Sequence, residues 1–235
     1  KQDVWFTFRA QDSANTPADG FGRLELFSEE RLPAAATVSR HANRDAEILT
    51  YVREGAVAQE DSLGHSGVLY AGEFRRTRTG RGARYSETNA SRTDEAHIFR
   101  LYLRPSETGL DPSDEHKRFT TADRRYGLCL VASPDARRGS LHVHLDALLY
   151  SALLDPGQHV VHELLPGRSA WLHIVEGQAT LGDLVLTTGD GVGITGERSV
   201  SFTARGVTEV LLVDLGERIP AVDVKRDAPA APLSD

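Results

Sequence analysis

A single cysteine among 235 residues excludes both a disulfide framework and a thiolate zinc site, since either needs several sulfurs. Cys129 sits in the apolar run Leu128-Cys129-Leu130-Val131, the setting of a buried strand thiol, and a reducing, cytoplasmic location is expected. No apolar run approaches the ~20 residues of a membrane-crossing helix, so no membrane association is expected. Lysine is scarce, with 24 of the 27 basic residues being arginine, and acids outnumber bases by 34 to 27 for a net charge of −7. That balance opposes the phosphate neutralisation on which nucleic-acid affinity rests, and direct nucleic-acid binding is not expected. Sustained helical periodicity is hard to find. The chain also lacks a Gly-x-Ser-x-Gly elbow, a phosphate-binding Gly-rich loop followed by Lys, and a His-Glu-x-x-His pattern. Hydrolase, nucleotide-binding and zincin readings therefore have no support.

The chain is 40% hydrophobic and holds 21 glycines, ordinary for a globular protein of one large or two small domains. Short β-branched and aromatic stretches recur between Gly, Pro, Asp and Asn turns, which reads as all-β. Candidate strands are Val4 to Phe8, Arg23 to Phe27, Ile48 to Val52, Ile98 to Leu103, Leu128 to Ala132, Leu141 to Leu145, Trp171 to Val175 and Glu209 to Leu215. One pattern repeats: Ile48-Leu49-Thr50-Tyr51-Val52-Arg53-Glu54-Gly55 has a counterpart in Trp171-Leu172-His173-Ile174-Val175-Glu176-Gly177. The two Glu-Gly corners lie 122 residues apart, about half the chain. A strand ending in Gly, a hairpin and a second acidic Gly turn suit a small cupin-type barrel, because Gly supplies positive φ at tight corners. Two such units make a bicupin of side-by-side antiparallel jelly-roll barrels, expected at 1–105 and 126–218. The segment 106–125 is expected as the linker and 219–235 as a tail. Five arginines between Arg75 and Arg84 are expected to form a solvated loop, and Glu29-Glu30 and Asp114-Glu115 to be solvated charge.

In an extended strand residues i and i+2 face the same way. His41 and Asn43 therefore project together, as do Tyr85 and Glu87, and closure of a barrel can bring the two pairs opposite one another as a four-ligand pocket. His41 to Val52 with Gly55 resembles the first metal motif of the pirin family, and Gly82-Ala83-Arg84-Tyr85-Ser86-Glu87-Thr88-Asn89 resembles the second. The likeness continues through Asp61-Ser62-Leu63-Gly64, Ala71-Gly72-Glu73-Phe74, Leu103-Arg104-Pro105 and Ser133-Pro134-Asp135-Ala136-Arg137-Arg138-Gly139-Ser140-Leu141. The resemblance implies a bicupin whose first barrel binds Fe(II) or another divalent ion through three His and one Glu. It implies a second barrel without metal. It also implies either quercetin oxidation by dioxygen or a regulatory role with a partner protein.

The sequence departs from that pattern at the ligands themselves. His41 and Glu87 match, whereas Asn43 and Tyr85 stand where the family has His. An amide oxygen is a weak ligand for Fe(II), and a phenol ligates well only after losing a proton of pKa ~10. Iron or another divalent metal is expected to be weakly held or absent, with the former ligand positions forming a polar network in which Tyr85 and Asn43 hydrogen-bond Glu87 and His41. A pirin-like protein that binds a small molecule or a partner protein is then expected. The alternative is a metal-dependent dioxygenase of the quercetin 2,3-dioxygenase type using an unusual His/Asn/Tyr/Glu site. In it, Glu47 or His97 would steer protons, although Glu47 also reads as a partner of the ligands and His97 as a core imidazole. His65 is expected to be exposed. His142, His144, His159 and His162 are expected to be strand histidines, and Trp171 and His173 to line or fill the second barrel.

Overall fold

In the computed structural model the described residues are 2–9, 20–42, 44–61 and 66–216, with backbone alone for 9, 39–42, 61, 83 and 84. Asn43, His65 and the expected tail lie outside them. The first half runs β1 (Asp3–Arg9), β2 (Leu24–Leu32), β3 (Thr37–Ala42), β4 (Glu47–Glu54), β5 (Ala56–Asp61), β6 (Ser66–Tyr70), β7 (Glu73–Arg78), β8 (Ala83–Asn89) and β9 (Ala96–Leu103). The stretch between the halves carries β10 (Ser113–Arg118) and the one-turn helix α1 (Thr121–Arg124), which Thr120 and Asp123 close as a capping box. The second half runs β11 (Cys129–Ser133), β12 (Leu141–His142), β13 (Ala147–Leu154), β14 (His159–Glu163), β15 (Ser169–Glu176), β16 (Gln178–Leu181), β17 (Leu184–Thr187), β18 (Gly191–Thr195), β19 (Ser199–Ala204) and β20 (Thr208–Leu215).

These strands form a bicupin. In the first half a sheet ordered β1-β2-β9-β4-β7-β10 faces a sheet ordered β3-β8-β5-β6. The second half repeats the plan with β12-β11-β13-β20-β15-β18 facing β14-β19-β16-β17. The repeated Glu-Gly corner has a steric cause. Gly55 and Gly177 hold φ of 79° and 92°, and a Cβ on Gly177 would stand 2.2 Å from the Val207 carbonyl oxygen. Any L-residue there would have to push β20 away from β16.

Strand alternation divides each six-stranded sheet into two faces. One face closes its own barrel, as in the cluster of Leu32, Val52, Val57, Leu69, Ala96 and Ile98. The other face meets the second six-stranded sheet. Phe27, Leu49, Tyr51, Phe74 and Phe99 from the first half pack with Leu149, Trp171, Leu211 and Val213 from the second in one shared core. Buried on both sides, β20 is an unbroken run of buried residues, which is why its sequence shows no polar alternation.

Several local expectations change. Only Leu141–His142 of the expected strand Leu141 to Leu145 is extended. Arg75, Arg76 and Arg78 do not form a solvated loop but lie on β7, which pairs with β10. Arg75 Nε donates to Asp114 at 2.7 Å, and Arg76 Nη2 to Glu115 at 3.4 Å. The Asp114-Glu115 pair therefore fastens β10 to the first sheet instead of standing free in solvent. Trp171 and His173 face the shared core rather than the interior of the second barrel.

Candidate functional site

Inside the first barrel β8 places Tyr85 and Glu87 on one inward face, both buried. The cation beside them is Arg100 of β9, 1% exposed, whose inward direction follows from its alternation with Phe99 and Leu101 in the shared core. Arg100 grips Glu87 with a fork, Nη1 to Oε1 at 2.9 Å and Nη2 to Oε2 at 2.6 Å. Its Nε donates to Glu30 Oε1 at 3.0 Å, and Ser28 Oγ donates to the same oxygen at 3.2 Å. Burial works against the charge on Arg100, but Glu30 and Glu87, with Tyr85 and Tyr102, outweigh it and hold the guanidinium protonated. Burial is also the largest cause lifting the Tyr85 phenol well above its ordinary pKa, followed by Tyr102 and Glu87, so Tyr85 is a neutral phenol at physiological pH. Asn43 and the His41 side chain lie outside the described residues, although the backbone pairs His41 with Arg84 across β3 and β8.

The chain matches the family model described as Pirin over residues 4–103 and the one described as Quercetinase C-terminal cupin domain over 130–215. It is 38% identical over 213 residues, 91% of each chain, to a protein of Escherichia coli strain K12 named quercetin 2,3-dioxygenase. The chain belongs to the pirin family. A putative quercetin 2,3-dioxygenase of Pasteurella multocida is 32% identical across 83% of both chains. Among solved structures, the E. coli protein YhhW superimposes on this pirin chain with a TM-score of 0.84 and 36% identity, covering 92% of this chain and 91% of YhhW. A second structure of the bacterial pirin YhhW, described as a complex with nickel(II), gives a TM-score of 0.83 and covers 92% of both chains.

The donors this pirin offers such an ion begin with Glu87. Glu87, the carboxylate at a family ligand position, already has both oxygens gripped by a guanidinium. A divalent cation at Glu87 would face Arg100 across the same carboxylate, in a medium where like charges repel far more than in water. Tyr85 keeps its proton, and Asn43 offers an amide. As placed among the described residues, Glu87 and Tyr85 do not fit a divalent transition metal. Among the described residues, no group of three or more His, Cys, Asp or Glu is placed to hold a metal.

Glu47 and His97 are not part of this cluster. They alternate with the inward residues of β4 and β9 and project from the opposite face of the sheet, toward the second half. Glu47 is fully buried and meets His144 Nδ1 at 3.1 Å and Arg76 Nε at 3.8 Å. Burial pushes its pKa up to about 7, against the opposing pull of Arg76, Arg78 and His144. His97 Nε2 lies 2.7 Å from Glu29 Oε1, and that hydrogen bond is the largest cause lowering the Glu29 pKa. Among the other histidines of this pirin, His159 meets Thr203 at 2.9 Å on the outer side of β14, and His162 meets Asp214 at 2.8 Å. The His142 and His144 rings lie 4.4 Å apart.

Arg100 and Glu30 complete the cluster and are absent from the ligand pattern read in the sequence. A signal for Arg100 was present, because it is a lone charge in Ile98 to Leu103, an otherwise apolar strand. An arginine so placed must find carboxylates inside the fold. Glu30 carried a weaker signal, because Glu29-Glu30 looks like a surface pair until alternation sends Glu29 to His97 and Glu30 into the barrel.

Proposed function

We propose that the first barrel of this pirin works without a resident metal, and that the protein acts as a cytoplasmic small-molecule-binding or regulatory member of the family. One observation carries the reading: Arg100 supplies, from within the fold, the positive charge that a metal ion would otherwise bring to Glu87. The neutral Tyr85 phenol supports it. The decisive measurement is elemental analysis of protein dialysed in turn against Fe(II), Mn(II), Ni(II) and Zn(II), together with a quercetin oxidation assay. The expected result is substoichiometric metal and no turnover. Near-stoichiometric metal that Glu87→Ala abolishes, with robust turnover, overturns the proposal. Asn43→His with Tyr85→His should gain metal only when Arg100→Gln is added.

A second reading is favoured by the name quercetin 2,3-dioxygenase borne by a relative 38% identical over most of the chain. It makes His41 and Glu87 retained ligands beside Asn43 and Tyr85. The outward direction of Glu47 and His97 weighs against giving either a proton-transfer step at that pocket.

A further inference from the structure

A second feature, independent of the first barrel, lies where β10 passes the start of the second half. A cavity of about 310 Å³ opens there between β10 and β11. Its rim carries three exposed cations, Lys117, Arg118 and Arg138, and one carboxylate, Asp123. Buried Phe119 and Leu130 and half-buried Leu128 form its floor beside the Cys129 thiol. On a chain of net charge −7 this is a local reversal of sign. Arg118 and Arg138 form no ion pair among the described residues, whereas the neighbouring Arg137 is paired with Asp135 at 3.4 Å. Asp123 is turned toward α1, where its Oδ2 accepts from Thr120 N at 2.8 Å and Thr120 Oγ1 at 2.7 Å. Lys117 donates to the Gly139 carbonyl and lies 5.3 Å from the Phe119 ring centroid.

The loop that presents Arg138 is held in an uncommon conformation. Ala136 and Arg138 have φ of 50° and 54°, and Gly139 has 70°. Non-glycine residues rarely hold left-handed φ unless their surroundings fix them there. Unpaired cations over a small apolar floor suit a ligand with a charged end and an apolar body.

The geometry points to a binding site for a small organic anion, with its carboxylate or phosphate held by Arg118, Arg138 and Lys117 and its apolar body resting on Phe119 and Leu130. Cys129, the chain's only cysteine, provides a reporter at the cavity wall. Burial raises the thiol pKa, so alkylation is followed in mildly alkaline buffer by intact mass. Phenyl phosphate and benzoate, tested separately to distinguish the two oxyanions, should each or singly slow iodoacetamide labelling severalfold, whereas benzyl alcohol should not. Negatively charged iodoacetate should also label faster relative to iodoacetamide in the native chain than in Arg118→Ala/Arg138→Gly, by about tenfold. Glycine accepts the positive φ at 138, so that variant retains its fold, which its melting temperature checks. The proposal is overturned if neither anion protects Cys129, if either protects the double variant equally, or if benzyl alcohol protects as well. Protection by inorganic phosphate equal to that by phenyl phosphate overturns the role of the apolar floor.

Discussion

The two barrels share one strand order and differ in what fills them. Register matching pairs Ser28, Glu30, Glu87 and Arg100 of the first with Tyr150, Ala152, Phe202 and Leu212 of the second. The second interior is a continuous apolar cluster that includes Leu172, Phe202 and Leu212. In the first, two small apolar clusters stand apart, one around Val52 and Ile98 and one around Ile48 and Tyr85, with the Arg100 ion cluster in the same interior. A buried ion cluster is a poor way to gain stability, since desolvation consumes most of the Coulomb attraction. At the matched positions the second barrel has hydrocarbon instead, and its own buried carboxylate, Asp214, is paired elsewhere with Arg168 and His162.

The largest expected effect comes from breaking the cluster on one side. Arg100→Leu, which copies the second barrel at a single position, removes the cation that two buried carboxylates share and should cost about 3–5 kcal/mol in urea unfolding. A loss below about 1 kcal/mol would mean that the fork is solvated and the contrast between the barrels superficial.

A smaller effect tests the matched positions at the interface. Tyr51 and His173 occupy equivalent places, pairing with Phe99 and Leu211. Tyr51 donates to Glu209 at 2.5 Å and accepts from Arg124 at 2.8 Å, whereas neither nitrogen of His173 has a partner among the described residues. Burial lowers the His173 pKa to about 4. The unfolded chain therefore takes up this proton first, and stability present above pH ~6.5 should fall by about 3 kcal/mol as pH drops to ~4. Glu47, raised to about 7, acts in the opposite sense, because stability declines as pH rises from ~4.5 to that value. The two oppose each other over the shared range. Urea titrations across pH should show His173→Phe gaining relative stability in acid; an unchanged pH profile would mean that a proton acceptor or solvent reaches the His173 ring and holds its pKa near the ordinary value.

The smallest net effect should come from completing the exchange. Glu30→Ala, Glu87→Phe and Arg100→Leu together replace the ion cluster with the second barrel's residues, so their combined cost should be near zero or a small gain. A triple variant as unstable as Arg100→Leu would show that the first barrel cannot close around hydrocarbon.

Much of the architecture was legible from the sequence. The Glu-Gly repeat located both barrels because a steric requirement at Gly55 and Gly177 leaves a mark on the chain. The alternation of Tyr85 and Glu87 correctly put both in one interior. The partner of Glu87 was not legible, since Arg100 reaches it through the closure of a barrel rather than through neighbouring sequence. Trp171 and His173 were rightly given one face, but alternation states only that residues share a side. Which side is the interior depends on packing between the halves, and here their side is the interface. Asp114 and Glu115 illustrate the same limit, because their arginine partners on β7 lie more than thirty residues away.

The core shared by Phe99, Tyr51, Trp171 and Val213 decides whether either half could stand alone. Each half carries a full set of strands, yet the outward face of its larger sheet is as apolar as a domain interior and has one partner, the other half. The two halves, alike in strand order, are therefore not separable modules. A chain divided between Leu103 and Ser113 would yield two fragments, each bearing half of one core, and the surface joining them would be the most oil-like that either possesses.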